Sequence, residues 1–232
     1  MQLLNLIHPK YVIRKWGTTP LNGQYLRQQT LVKIAASVKP THVIETGTYF
    51  AGSTGFLSTL TNGRCITIES NPKFYEVAKE NIDFNYSEQN IKMILGRSED
   101  ELSNVLQKIE KNSRLIVYLD AHWYENVPIE RELEALDSWG GSWIAIIDDF
   151  KVPTDSGYGF DVYGKIEIGP KVIPKDFSTK GIRLFVPKKS SYCETGRRKG
   201  TGYLFSKKSI KITQNYVFED LEEIILREQL SS

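Results

Sequence analysis

The chain has 232 residues, of which 40% are hydrophobic and 25% charged, and its formal net charge is +2. These values are ordinary for a globular protein of one domain, and so small a charge gives no reason to expect a nucleic-acid partner. No apolar run approaches the ~18 residues of a membrane-spanning helix. Two cysteines, Cys65 and Cys193, are too few for a disulfide framework, and the first residues lack the features of a secretory signal, so we expect a reduced, cytoplasmic protein.

Taken in chain order, apolar runs alternate with amphipathic segments through the first two thirds of the chain. A helix over 23–38 precedes five predicted strands, which cover 42–45, 64–68, 91–95, 115–119 and 143–147. Helices are predicted over 53–61, 72–86, 98–111 and 128–136, the third with Ser98 and Glu101 at capping-box spacing. Near-continuous apolar strands that alternate with helices predict a parallel sheet covered on both faces.

The pattern changes after residue 150. Residues 150–181 have no clean period, two further strands are predicted over 182–186 and 201–206, and an amphipathic helix over 218–230 closes the chain. We therefore predict a single α/β domain, a Rossmann-like, doubly wound, mostly parallel seven-stranded sheet with helices on both faces. Its expected parts are an N-terminal cover segment (1–40), a cofactor-binding core (41–150), a substrate loop with the final strands (151–206) and a C-terminal helix region (207–232).

The turn after the first predicted strand is suited to bind a cofactor. An acid and a glycine, Glu45 and Gly47, end the strand, and a helix follows, so free backbone N–H groups and the positive helix end meet there. Glu69 ends the next strand, 69 − 47 = 22 residues after Gly47, where a carboxylate can bind a ribose diol. The turn is not Gly-x-Gly-x-x-Gly, so no pyrophosphate cradle is encoded. This favours S-adenosylmethionine over a nicotinamide dinucleotide.

Over about residues 41–150 these motifs resemble class I S-adenosylmethionine-dependent methyltransferases, and among them the metal-dependent macrocin-type sugar O-methyltransferases. The chain departs from that family at Ala51, where glycine is frequent. The resemblance implies a set of cofactor-binding residues: Glu45, Thr46, Gly47, Tyr49, Ser53, Glu69, Ser98 and Asp120.

The resemblance also implies that Asp120, Asp148 and Asp149 bind a divalent cation. Three carboxylates at neighbouring strand ends cannot all stay ionised without a counter-charge, which Mg²⁺ or a similar cation supplies. The cation would bind the acceptor hydroxyl and lower its pKa for methyl transfer. The alternative is that Asp148 and Asp149 simply begin a loop.

His122 follows Asp120 by two residues, where the resembling sugar enzymes often have a second aspartate as general base. A histidine suits proton removal at neutral pH, so we consider His122 together with Asp120 as the catalytic residues. Two alternatives stay open, in which His122 is a further metal ligand or a buried structural residue.

The acceptor is the least defined part. We expect a hydroxylated small molecule, a sugar or a glycosylated or phosphorylated metabolite, with no nucleic-acid or membrane partner and with a homo-oligomer left open. Candidate substrate residues are Tyr124, Tyr158, Phe160, Arg197 and Arg198. The aromatic residues can instead fill the core, and the arginines can belong to a solvated basic loop. The alternative functions are a nicotinamide oxidoreductase and a catalytically silent Rossmann-like binding module.

Overall fold

The computed structural model describes residues 19–123 and 127–226. The strands are β1 (His42–Thr46), β2 (Arg64–Glu69), β3 (Ile91–Leu95), β4 (Arg114–Leu119), β5 (Ser142–Ile147), β6 (Val162–Tyr163), β7 (Ile166–Glu167), β8 (Arg183–Pro187), β9 (Gly202–Phe205) and β10 (Leu221–Ile224). Eight of them form one sheet in the order β10-β8-β9-β5-β4-β1-β2-β3, while β6 and β7 pair separately. The neighbours from β5 to β3 are parallel, and β9, β8 and β10 are each antiparallel to their partners.

Seven α-helices lie in the described residues. They are α1 (Tyr25–Val38), α2 (Thr54–Ser58), α3 (Pro72–Asn85), α4 (Ser98–Leu106), α5 (Ile129–Trp139), α6 (Lys207–Ile212) and α7 (Asn215–Phe218). Asn71 caps α3 by accepting from the N–H of Lys73, and Gly140 ends α5 in the left-handed conformation. The longest helices have 14 residues, and none in the described ranges is long and apolar enough to cross a membrane.

Strand side chains alternate between two apolar clusters, one on each face of the sheet. On one face α1 and α2 pack on the strands through Leu31, Leu57, Val43 and Ile116. On the other face α4 and α5 pack through Leu102, Leu133, Ile44 and Val117. Both faces of the parallel strands are thereby buried, which confirms the predicted Rossmann-like class.

Two sequence-based predictions about the elements are wrong. The sheet has eight strands and not seven, because Leu221–Ile224, predicted to lie in a helix over 218–230, pairs as β10 with β8. Leu221 and Ile224 are spaced three apart, which suits a helix, but the free edge of β8 and the Arg183–Glu223 ion pair favour a strand. Residues 227–230 of that predicted helix lie outside the described residues. Ser98 is also not an N-cap, since Arg97 has that position and no side chain caps α4.

Candidate active site

The carboxyl ends of the parallel strands border one cavity of about 780 Å³. This volume lies within the range of ~300–1,000 Å³ that is usual for small-molecule and cofactor sites. Of the eight predicted cofactor-binding residues, all but Thr46 line it: Glu45, Gly47, Tyr49, Ser53, Glu69, Ser98 and Asp120. Thr46 is completely buried beneath the cavity.

The turn after β1 brings backbone close to backbone. Gly47 has a φ of +82°, and a Cβ there would lie 2.2 Å from the carbonyl oxygen of Asp120, so only glycine fits. Tyr49 and Ala51 have positive φ values of 51° and 62°. Ala51 thus adopts, with a side chain, the left-handed conformation that favours glycine, at the position where the resembling methyltransferases often have glycine.

Glu45 is held rigidly at the end of β1. Its Oε2 accepts hydrogen bonds from the hydroxyls of Thr54 (2.6 Å) and Thr67 (2.7 Å), and neither bond uses Oε1. Burial raises the pKa of Glu45 to about 7, although the two threonine hydrogen bonds oppose this. The carboxyl group therefore has a fixed orientation and one oxygen available to a ligand.

Glu69 is anchored by the backbone on both of its oxygens. Oε2 accepts from the N–H of Tyr49 and Oε1 from the N–H of Asn71, each at 2.8 Å. Burial raises the pKa of Glu69, and these backbone bonds oppose the shift. Because each carboxylate oxygen has a second lone pair, Glu69 can still accept two hydrogen bonds from a diol.

A third glutamate, which the sequence did not indicate, lies under the cavity. Glu132 of α5 is completely buried, close to the hydroxyls of Ser98 and Thr46. Burial raises the pKa of Glu132 to about 7, and the two hydroxyls only partly offset it. A carboxyl group here can stay protonated at neutral pH.

Helix α1 places a buried guanidinium behind the site. Arg27 is 2% exposed, and its Nη1 pairs with Asp148 and donates to the hydroxyl of Tyr118 at 3.2 Å. Its Nη2 donates to the carbonyls of Lys199 (2.6 Å) and Gly200 (3.1 Å). Although burial opposes the charged form, the charge of Asp148 raises the pKa of Arg27 further above its usual range. Arg27 thus joins α1, β4, β5 and the loop before β9.

Asp148, one of the three predicted metal ligands, is already hydrogen-bonded on both oxygens. Oδ1 pairs with Arg27 and accepts from the N–H of Asp149 (2.7 Å), and Oδ2 accepts from the amide of Asn22 (3.3 Å). Asp148 is therefore charge-paired by the protein itself, and the predicted triad is not assembled as three free carboxylates.

Another set of side chains does converge beside the cavity. One potential ligand atom each from His122, Asp149 and Asp161 lie within 4.8 Å of one another. His122 is 1% exposed, and among the described residues neither of its ring nitrogens, nor Oδ1 of Asp149, has a hydrogen-bond partner. Lys199 Nζ lies 2.5 Å from Asp161 and 3.3 Å from Asp149, and the Tyr163 hydroxyl donates to Asp161. Burial lowers the pKa of His122, which keeps the ring neutral and able to bind a metal.

Asp120 borders the cavity next to this cluster. Its carboxyl group is half-buried at the end of β4. Burial and the nearby charges of Asp148, Asp149 and Glu45 raise its pKa well above the usual range. Ionisation of Asp120, Asp148, Asp149 and Asp161 together would exceed the positive charge of Arg27 and Lys199.

The predicted aromatic substrate residues do not form one surface. Tyr158 is 2% exposed, and its hydroxyl donates to the carbonyl of Lys189 at 3.1 Å, so it fills the core. Phe160 is half-buried with the ammonium of Lys151 5.0 Å from its ring centre. Tyr124 lies outside the described residues. The burial of Tyr158 corrects its assignment to an exposed substrate loop.

The two predicted substrate arginines have different surroundings. Arg198 donates through Nε to the carbonyl of Glu194 at 3.2 Å and does not line the cavity. Arg197 lines the cavity, and its backbone N–H donates to the carbonyl of Asn22 at 3.1 Å. Only Arg197 is therefore placed to contact a ligand there.

Sequence reasoning missed several residues of the site. Arg27 had a readable signal, since it continues the buried stripe of Leu31, Ile34 and Val38 along α1, where a lone charge needs a partner. Asp161 had no readable signal in the sequence. It lies in a loop without hydrophobic periodicity, so the path of the loop is known only from the folded chain. Trp123, 51% exposed and stacked on Tyr49 at 5.9 Å, also lines the cavity.

Comparisons with known proteins agree with this geometry. The model of the family described as rhamnosyl O-methyltransferase/CmcI matches residues 25–162. Similar solved structures include an O-methyltransferase from Bacillus cereus in complex with SAH, S-adenosylhomocysteine (14% identity, 86% of this chain and 90% of that chain, TM-score 0.56). TomG, an O-methyltransferase from Streptomyces achromogenes in complex with SAM, S-adenosylmethionine, shares 14% identity over 78% of this chain and 79% of its own, with a TM-score of 0.56. The SAH-bound methyltransferase PaMTH1 from Podospora anserina shares 17% identity over 78% of each chain, with a TM-score of 0.52.

At these identities the solved structures show a shared fold. No curated protein matches the chain.

Proposed function

Because this chain belongs to the rhamnosyl O-methyltransferase/CmcI family and is an S-adenosylmethionine-dependent O-methyltransferase, we propose that it methylates a hydroxyl group of a small metabolite with the help of a divalent cation. The observation that carries the proposal is the convergence of His122, Asp149 and Asp161 beside the cofactor cavity.

The order of the strands supports one direction for the cofactor. Glu69 and Ser98 border the cavity at the ends of β2 and at the start of α4, and they are suited to hold the ribose and the adenine. A cofactor bound there extends across β1 towards β4, where Asp120 lies. Asp120 and the cluster around Asp149 would then be the residues near the reacting end of the cofactor.

The side chains fit a divalent cation. Among the described residues, His122 and Asp149 offer buried atoms without a hydrogen-bond partner, and Asp161 adds a carboxylate that is already paired with Lys199. We assign His122, Asp149 and Asp161 as the residues that hold it, in place of a triad with Asp148. Carboxylates suit Mg²⁺ and Mn²⁺, and the imidazole shifts the preference towards a transition metal such as Mn²⁺. When bound, the cation would act as a Lewis acid that lowers the pKa of the acceptor hydroxyl.

The remaining residues orient the reactants and move the proton. Asp120 borders both the cavity and the cluster, so we assign it as the acceptor of the hydroxyl proton. Methyl transfer to that oxygen would break the bond between the methyl carbon and sulfur and leave S-adenosylhomocysteine. Trp123 offers an exposed ring at the cavity mouth, which is suited to pack on a sugar or a glycosylated acceptor.

Calorimetric titration with Mn²⁺ tests the cation site without knowledge of the acceptor. We expect one site in the wild type. Asp149→Asn, Asp161→Asn and His122→Asn should each weaken binding by more than the ~10–100-fold that is typical of residues one shell further out. Asp100→Asn, on the exposed first turn of α4, is the control. Loss of Mn²⁺ binding in Asp120→Asn and Asp148→Asn alone would instead support the strand-end carboxylates as the ligands.

The variant His122→Asn distinguishes the three possible roles of His122. A ligand role predicts that excess Mn²⁺ restores binding in His122→Asn. Unchanged Mn²⁺ affinity with a lost acidic limb in the pH–rate profile would instead make His122 the general base. A lower melting temperature with normal affinity per folded molecule would make it structural.

A further inference from the structure

We propose that Arg197 binds the carboxylate of the methionine portion of S-adenosylmethionine. Arg197 belongs to the loop between β8 and β9, far along the chain from the turns at β1 and β2. The proposal rests on the cofactor of this enzyme and does not depend on the cation site.

The loop before Arg197 is anchored to helix α1 by hydrogen bonds. The carboxylate of Glu194 is buried and accepts from the N–H groups of Leu26 (2.9 Å) and Arg27 (3.0 Å), which caps the helix from another part of the chain. Thr195 Oγ1 accepts from the N–H of Tyr25 at 2.9 Å. Since these bonds satisfy the free N–H groups at the start of α1, the loop has a defined position.

Close backbone contact then directs Arg197 to the cavity. Gly196 has a φ of +62°, and a Cβ there would lie 2.2 Å from the carbonyl oxygen of Asn22. The same carbonyl accepts from the N–H of Arg197 at 3.1 Å, and both Asn22 and Arg197 line the cavity. The geometry therefore sets Arg197 at the wall that Asn22 forms.

This wall is the end that the methionine portion reaches. Asn22 donates to Asp148, which follows β5, whereas Glu69 ends β2. The order β5-β4-β1-β2 puts these points three strands apart, at ~4.8 Å for each step. A cofactor whose ribose meets Glu69 therefore extends its amino acid towards Asn22 and Arg197.

In the part of the chain that the structure describes, one cationic side chain at this end is available to the carboxylate. Among the described residues, the cavity is lined by two arginines, and Arg97 pairs with Glu99 at the adenosine end. Arg27 pairs with Asp148, and Lys199 pairs with Asp161. Glu45, Asp120 and Asp148 can attract the cofactor's ammonium group but repel its carboxylate. A carboxylate taken from water needs a cation or several donors, and the fork of a guanidinium supplies two.

The test compares two ligands that differ in the amino acid portion. S-adenosylhomocysteine has the carboxylate, and 5′-methylthioadenosine lacks it. Calorimetry on Arg197→Met should show S-adenosylhomocysteine bound roughly 10- to 100-fold more weakly, the loss of a charge-assisted hydrogen bond, with methylthioadenosine unchanged. Arg197→Lys should retain part of the affinity. Arg131→Met, an exposed arginine of α5 outside the cavity, is the control for lost charge.

Two results would overturn the proposal, and a third would overturn the cofactor assignment on which it rests. Unchanged S-adenosylhomocysteine binding in a folded Arg197→Met, with only the KM of the acceptor altered, would make Arg197 a substrate residue. Equal losses for both ligands would mean a general disturbance of the cavity. Failure of the wild type to bind either ligand would contradict the cofactor itself, which is a separate outcome.

Discussion

Glu69 combines two tasks in one side chain. Its two backbone hydrogen bonds close the turn at Tyr49 and the start of α3, and the same oxygens face the cavity. The carboxylate therefore cannot rotate away from a ligand, and little ordering is required when a ribose binds.

At Glu69 we expect a large effect on the cofactor. Glu69→Ala should weaken S-adenosylhomocysteine binding by about 1.5–3 kcal/mol, the range for hydrogen bonds to a charged group. Calorimetry measures the affinity, and Glu76→Ala, on the exposed side of α3, is the control. An unchanged affinity in a folded variant would show that the ribose is not bound here.

Helices α1 and α5 bring ionisable side chains to opposite faces of the sheet, and the two charges are neutralised in different ways. Arg27 of α1 is compensated by Asp148, so removing either partner leaves a buried charge. No cation of the described residues lies against Glu132 of α5, and this carboxyl group becomes neutral by protonation.

Glu132 should make the protein less stable as the pH rises. Below the ordinary pKa of 4.5, Glu132 is protonated in both the folded and the unfolded protein, so its ionisation costs no stability. Between pH 4.5 and about 7, Glu132 ionises freely only in the unfolded protein, which lowers the free energy of unfolding. Above pH 7 the cost reaches on the order of 3 kcal/mol, since one pKa unit is ~1.4 kcal/mol.

Glu132→Gln should therefore raise the free energy of unfolding at pH 8 and leave it nearly unchanged at pH 4. Urea denaturation at both pH values measures this, with Glu134→Gln on the exposed side of α5 as the control. A gain of equal size at both pH values would mean that ionisation of Glu132 is not the cause.

For the whole molecule, the sequence predicts the parallel half of the sheet because buried strands are apolar and ligand residues follow their ends. Glu45, Gly47, Glu69 and Asp120 could be placed at the cavity for this reason. The edge strand β10 could not be predicted, because its residues suit a helix equally well. Only pairing with the free edge of β8 favours the strand.

The sequence predicts only part of the proposed cation site, for a related physical reason. Asp149 follows a strand, but Asp161 and Lys199 come from loops, and loop paths have no periodic signal. Asp148 looks like a free acid in the sequence, because its partner Arg27 is 121 residues away.

In the proposed arrangement, one cavity holds the cofactor's methyl group next to a divalent cation. Paramagnetic relaxation by bound Mn²⁺ of S-adenosylmethionine labelled with ¹³C at the methyl group measures that proximity, because the effect falls with the inverse sixth power of distance. We predict that the methyl carbon relaxes much faster than the adenine C8, and that Asp149→Asn removes the difference. Tight cofactor binding with equal or absent relaxation enhancement at both positions would contradict this arrangement.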